Sequence, residues 1–115
     1  MQIQTRVEKS FVVATLSEKR LDAALASQFR NKMNELIENG HHTIILDLSQ
    51  VDFIDSSGLG AIVSTLKQLG GRGDLILCGA RDAVMTLFQL TRMDKVFKMY
   101  STVAEVEAKY SSTPS

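Results

Sequence analysis

Asp55, Ser56 and Ser57 stand in a row directly before Gly58-Leu59-Gly60. Two hydroxyls beside a carboxylate admit a reactive and an unreactive reading. A serine nucleophile needs a base and usually a strained Gly-x-Ser-x-Gly elbow. That elbow is absent, and the histidines, His41 and His42, fall in a polar loop after Gly40, where they read as solvated turn residues. In the unreactive reading the oxygens cap a helix, a role that suits all three side chains. One cap is enough, yet three stand together. Gly58 and Gly60 then fall in the first helical turn, where each costs about 1 kcal/mol against alanine. Glycine there lets another backbone come close.

Other chemistries have less support. Gly58-Leu59-Gly60 begins a dinucleotide fingerprint, but Val63 stands where the third glycine belongs. No Gly-Lys-Ser/Thr phosphate loop occurs, and Gly70-Gly71-Arg72-Gly73 reads as a turn. Two adjacent histidines and a distant cysteine lack metal-ligand spacing, so no metal and no cofactor is expected. Cys78, the lone cysteine, cannot form an internal disulfide, and its apolar neighbours imply a buried, sluggish thiol. Met85 and Met99 read as core or near-core. Met93, between Arg92 and Asp94, reads as exposed. Leu59 and Leu90 suit either packing or contact with a partner.

The elements that position Ser56 follow from periodicity. Ile44-Ile45-Leu46-Asp47-Leu48 is apolar on both parities apart from Asp47, as in an inner strand covered on both faces. Ser49–Ile54 reads as a connector. Leu59, Ile62, Val63 and Leu66 then recur at helical spacing. Upstream, Ile3, Thr5 and Val7 alternate with polar residues, and Phe11–Leu16 reads as a second, more buried strand of a hairpin turning at Glu8-Lys9. Ser17–Arg20 reads as a polar loop. Leu21, Ala24, Leu25, Phe29, Met33, Leu36 and Ile37 define a first helix, with Asp22 in its first turn and Asn39-Gly40 at its end. Downstream come a buried strand at Asp74–Cys78, a helix marked by Ala83, Val84, Leu87, Phe88 and Thr91, and a short strand at Val96–Tyr100. A capping box, Thr102-Val103-Ala104-Glu105, opens a last helix.

This order predicts one α/β domain over residues 1–110. Its mixed sheet has four to five strands, the later ones parallel, packed with about four helices. Residues 111–115 are expected to form a disordered tail. The chain has 115 residues, with 13 Lys plus Arg against 13 Asp plus Glu, so electrostatics favour neither nucleic acid nor an anionic membrane. No apolar run approaches the roughly 20 residues of a membrane span. A single cysteine and the absence of a signal-peptide pattern point to the cytoplasm.

The stretch from Ile44 to Leu48 and on through Phe53-Ile54-Asp55-Ser56-Ser57-Gly58-Leu59-Gly60 resembles the signature of the STAS domain, in particular of anti-sigma factor antagonists. Leu21-Asp22 resembles the family's leucine-aspartate pair, and Gly71–Cys78 with Val84–Phe88 its next strand and helix. The resemblance implies partner switching rather than catalysis. Ser56 matches the serine that is phosphorylated. The kinase implied is a serine kinase of the histidine-kinase-like ATPase fold that is also the anti-sigma factor, and a serine phosphatase reverses the mark. Unphosphorylated antagonist binds the kinase, which releases its client. Asp22 and Asp55 would shape the site, and Ser57, Gly58 and Leu59 would complete the docking surface. Lys19 and Arg20 stand where many members have a glycine and an acidic residue, so this loop is more basic than the family pattern. STAS-like domains also serve as transporter subunits, which is the alternative output.

Overall fold

The protein, a computed structural model, is described for residues 1–111. Its chain order is β1 (Ile3–Val7), β2 (Val12–Leu16), β3 (Arg20–Leu21), α1 (Ala23–Glu38), β4 (Thr43–Asp47), β5 (Phe53–Ile54), α2 (Ser56–Leu69), β6 (Asp74–Cys78), α3 (Asp82–Leu90), β7 (Lys98–Tyr100) and α4 (Val103–Ser111). The main sheet has five strands in the order β1-β2-β4-β6-β7. β1 and β2 form an antiparallel hairpin, closed where the Glu8 N–H donates to the Phe11 carbonyl at 2.9 Å. The remaining neighbours pair in parallel through helical crossovers.

Strand alternation assigns side chains to two cores. Val12, Ala14, Leu16, Ile44, Leu46, Leu75 and Leu77 meet Phe29 and Met33 of α1, Ile62 and Leu69 of α2, and Phe88 of α3. Val13, Ile45, Ile76 and Cys78 face the other way, with Phe11, and are covered by Val106 of α4. Both faces of β4 are therefore apolar, the arrangement its sequence predicts. Cys78 is buried, and its thiol lies 3.6 Å from the Leu46 carbonyl.

Helix ends follow local chemistry. At the end of α1, the His41 N–H donates to Leu36 and the Gly40 N–H to Ile37, with Gly40 at φ 93°. This is the double closure of a Schellman motif. At α4, the Glu105 N–H donates to the Thr102 hydroxyl, and the Glu105 carboxylate accepts from the Ser101 N–H, one residue before the N–H of Thr102 that a capping box predicts.

The structure corrects five readings. The Ser17–Arg20 loop and the Ser49–Ile54 connector are not wholly irregular, because β3 and β5 pair in parallel, Arg20 opposite Phe53 and Leu21 opposite Ile54. Leu21 is a strand residue, and Asp22 caps α1 rather than lying in its first turn. The last strand shortens to Lys98–Tyr100 because Met93–Lys95 forms a 3-10 turn entered through Arg92 at φ 63°. That turn sets Met93 half-buried against the main core instead of exposed. α4 takes in Ser111, which the sequence placed in the tail, and residues 112–115 lie outside the described residues. Among the described residues no helix is long and apolar enough to cross a membrane.

Candidate functional site

Two short segments of like design lie side by side. Leu21 ends β3, Asp22 caps α1, and α1 begins at Ala23. Ile54 ends β5, Asp55 caps α2, and α2 begins at Ser56. The ladder puts Leu21 opposite Ile54, so the two aspartates follow in matched positions. Ala23-Ala24 opens one helix, while Ser56-Ser57 opens the other. Only one of the two helix starts carries hydroxyls.

Asp55 fastens the pair. Its Oδ1 accepts from the Gly58 N–H at 2.9 Å, the ordinary cap of its own helix. Its Oδ2 accepts from the Ala23 N–H at 3.1 Å, the first residue of α1. A single carboxylate thus serves two helix N-termini, each with a partial positive charge. Asp22 Oδ1 takes the Ala24 N–H at 3.1 Å. The Asp55 N–H also donates to the Leu21 carbonyl at 3.3 Å.

The close approach expected of Gly58 is made by this same chain. A Cβ at Gly58 would stand 2.1 Å from the Leu21 carbonyl oxygen. Gly60 has nothing within 4 Å of its Cβ position. Gly58 is accordingly buried and supports the site from beneath, while Gly60 lies open.

Ser56 and Ser57 are both exposed. As N1 and N2 of α2 their amides have no intrahelical acceptor. Ser56 edges a shallow groove of about 480 Å³ between α2 and the segment after α3, lined also by Leu59, Val63, Lys67, Thr91 and Met93. Leu59 is half-buried and packs on the main core. Leu90 is 78% exposed. On the other flank, Phe53 is 43% exposed, and the Arg20 guanidinium lies 5.1 Å from its ring centroid. Arg20 also reaches Asp22, at 3.7 Å. Arg81 donates to the Ser49 carbonyl at 2.7 Å and pairs with Asp52 at 2.8 Å, which fixes the connector ahead of β5.

The structure brings Asp22, Asp55, Ser56, Ser57 and Gly58 together. It puts His41 and His42 before β4, at the end of that strand opposite the one that leads toward Ser56. No base is thereby brought to the serines from the histidines. Among the described residues no group of three or more His, Cys, Asp or Glu could hold a metal ion. Sequence reasoning missed the Asp55–Ala23 bond and the Arg20–Phe53 stack. The one sequence signal that could have found the pairing behind them is the repeat of an aliphatic residue followed by aspartate, Leu21-Asp22 and Ile54-Asp55.

A hairpin followed by parallel crossovers, with two capped helix starts clasped at one end of the sheet, defines a small α/β domain that displays a helix N-terminus. The chain belongs to the STAS domain family, whose model matches residues 2–106. It is 33% identical over 96 residues, 82% of this chain and 85% of its relative, to a Thermotoga maritima protein named provisionally as an anti-sigma factor antagonist. Among solved structures it resembles the anti-sigma factor antagonist SpoIIAA in its unphosphorylated form. The TM-score is 0.82 at 26% identity, covering 99% of this chain and 100% of the other. The phosphorylated form of the Bacillus cell fate determinant SpoIIAA gives a TM-score of 0.73 at 27% identity, over 94% and 98% of the two chains.

Proposed function

We propose that this protein is an anti-sigma factor antagonist switched by phosphorylation of Ser56. Unphosphorylated, it binds an anti-sigma factor that is also a serine kinase of the histidine-kinase-like ATPase fold, and the kinase lets its client go. Phosphorylation at Ser56 ends that association, and a serine phosphatase restores it. Asp22, Asp55, Ser57 and Leu59 form the contact surface around Ser56, and Gly58 holds it in place from below. The observation that carries this reading is an exposed hydroxyl at the first residue of α2, on a helix start that the Asp55 clasp holds in position.

The magnitudes favour a switch in binding over a switch in fold. A phosphate adds about −1.5 to −2 charge at neutral pH. At a helix N-terminus that charge is favoured by roughly 0.3–1 kcal/mol, so the domain tolerates it. In a docked interface a carboxylate about 4 Å from each unit of new charge costs on the order of 4 kcal/mol at an effective dielectric near 20. That is roughly a thousandfold in affinity. Titration calorimetry of the kinase with unmodified and phospho-Ser56 protein tests the reading. Affinity lower by two to three orders of magnitude, with unchanged circular dichroism, is expected. Equal affinities would end it.

A further inference from the structure

β1 is an edge strand, and its outer side is not paired among the described residues. The ladder to β2 fixes which residues point outward. The Gln2 carbonyl accepts from the Ser17 N–H, and the Glu8 N–H donates to the Phe11 carbonyl. Even-numbered residues therefore turn their backbone groups toward β2, because antiparallel strands alternate in this respect. Ile3, Thr5 and Val7 turn theirs to the open edge. Edges are commonly guarded by proline, bulges or charged side chains. β1 has no proline or lysine, and its one charge, Arg6, is held by Glu8 and Glu107 on the face opposite α1.

The two ends of β1 are unlike and complementary. Val7 is 61% exposed, an apolar knob at one end. At the other end Ile3 and Met1 form the apolar wall of a groove of about 350 Å³, whose far wall is Gln28, Asn31, Lys32 and Glu35 of α1. Val7 and Ile3 share strand parity, so both lie on the α1 face. A two-fold axis through Thr5 places the Val7 of each copy against the Ile3 groove of the other. The same axis sets Thr5 against Thr5, Arg6 against Gln4 and Glu8 against Gln2, so no like side-chain charges are opposed from Gln2 to Glu8. An axis at Arg6 would oppose two arginines, and an axis at Gln4 would set Val7 against Met1. Self-complementarity about one axis is what a two-fold dimer requires.

We infer that a second copy of this chain pairs with the first, β1 to β1 and antiparallel, about an axis at Thr5. Ile3, Thr5 and Val7 exchange backbone hydrogen bonds across the seam and extend the sheet through both copies. α2 lies over strands further into the sheet, so Ser56 stays accessible in both subunits. A five-residue strand pair is small for a permanent interface, so the pairing is a concentration-dependent equilibrium.

Sedimentation equilibrium of the full chain from about 10 μM to about 1 mM reads that equilibrium. Wild type is expected to dimerise within this range, and Val7→Lys to weaken the dimer by roughly tenfold or more. A cysteine scan reads the register independently. Thr5→Cys puts two thiols on a hydrogen-bonded pair with Cα atoms about 5.5 Å apart, within disulfide reach. Gln4→Cys leaves them about 8 Å apart, beyond it. Cys78 is buried and does not interfere. Mild oxidation is expected to link Thr5→Cys into a covalent dimer and to leave Gln4→Cys monomeric, with circular dichroism confirming that each variant is folded. A monomer through the whole range, a dimer indifferent to Val7→Lys, or equal cross-linking of both cysteine variants would overturn the inference.

Discussion

Gly58 and Gly60 sit two residues apart in α2, yet alanine should act on them with opposite signs. At Gly58 the new methyl group would stand 2.1 Å from the Leu21 carbonyl oxygen and 2.9 Å from its carbon. Relief requires more than 1 Å of movement of a backbone carbonyl that accepts from the Asp55 N–H. Moving it loosens that bond, and moving α2 instead loosens the Asp55–Gly58 cap. Overpacking costs about 1–3 kcal/mol and a lost cap or hydrogen bond about 1 kcal/mol, against about 1 kcal/mol gained in helix propensity. The net is a loss of roughly 1–3 kcal/mol, and a fall in Tm of about 5–15 °C for a domain of this size. At Gly60 nothing lies within 4 Å, so only the propensity gain remains, up to about 1 kcal/mol and a few degrees. Thermal and urea unfolding of the two variants read both numbers. If Gly58→Ala unfolded within 1 kcal/mol of wild type, the tight seating of α2 on Leu21 would be refuted.

Asp55→Ala removes a cap from α2 and a bond to α1 together, so urea unfolding should show a loss of about 2–3 kcal/mol, against about 1 kcal/mol for Asp22→Ala, which removes one cap bond. Burial, then the charges of Asp47 and Glu107, push the Cys78 thiol up from 9.0 to about 12. The folded state holds this proton more tightly than the unfolded chain. The resulting stability is complete below pH 9 and declines as pH rises from about 9 to about 12, and Cys78→Val should flatten that decline in urea titrations. A thiol reagent at pH 8 should leave Cys78 unmodified in native protein and react once urea unfolds it.

Long-range order of this chain was readable where a period persists. Phe29, Met33, Leu36 and Ile37 repeat at helical spacing and pack as that spacing requires. The doubly apolar run of β4 foretold burial on both faces. Two-residue strands have no period to detect, so Arg20-Leu21 and Phe53-Ile54 read as loop until their pairing was seen. Three capping residues in a row left the choice of cap open. The choice fell to Asp55 because it alone also reaches Ala23, a partner 32 positions away. Met93 was misread because its charged neighbours, Arg92 and Asp94, suggested water on all sides. A left-handed Arg92 turns the chain and carries Met93 onto the core. Gly58 was read correctly as a site of close approach, but only the fold reveals that Leu21 is the group that approaches.

The switch itself is tested most directly by intact-mass analysis after incubation with ATP and the cognate serine kinase. Wild type and Ser57→Ala are expected to gain one phosphate, and Ser56→Ala none. A phosphate gained by Ser56→Ala and lost in Ser57→Ala would contradict the assignment, as would a wild-type protein that the kinase binds and leaves unmodified.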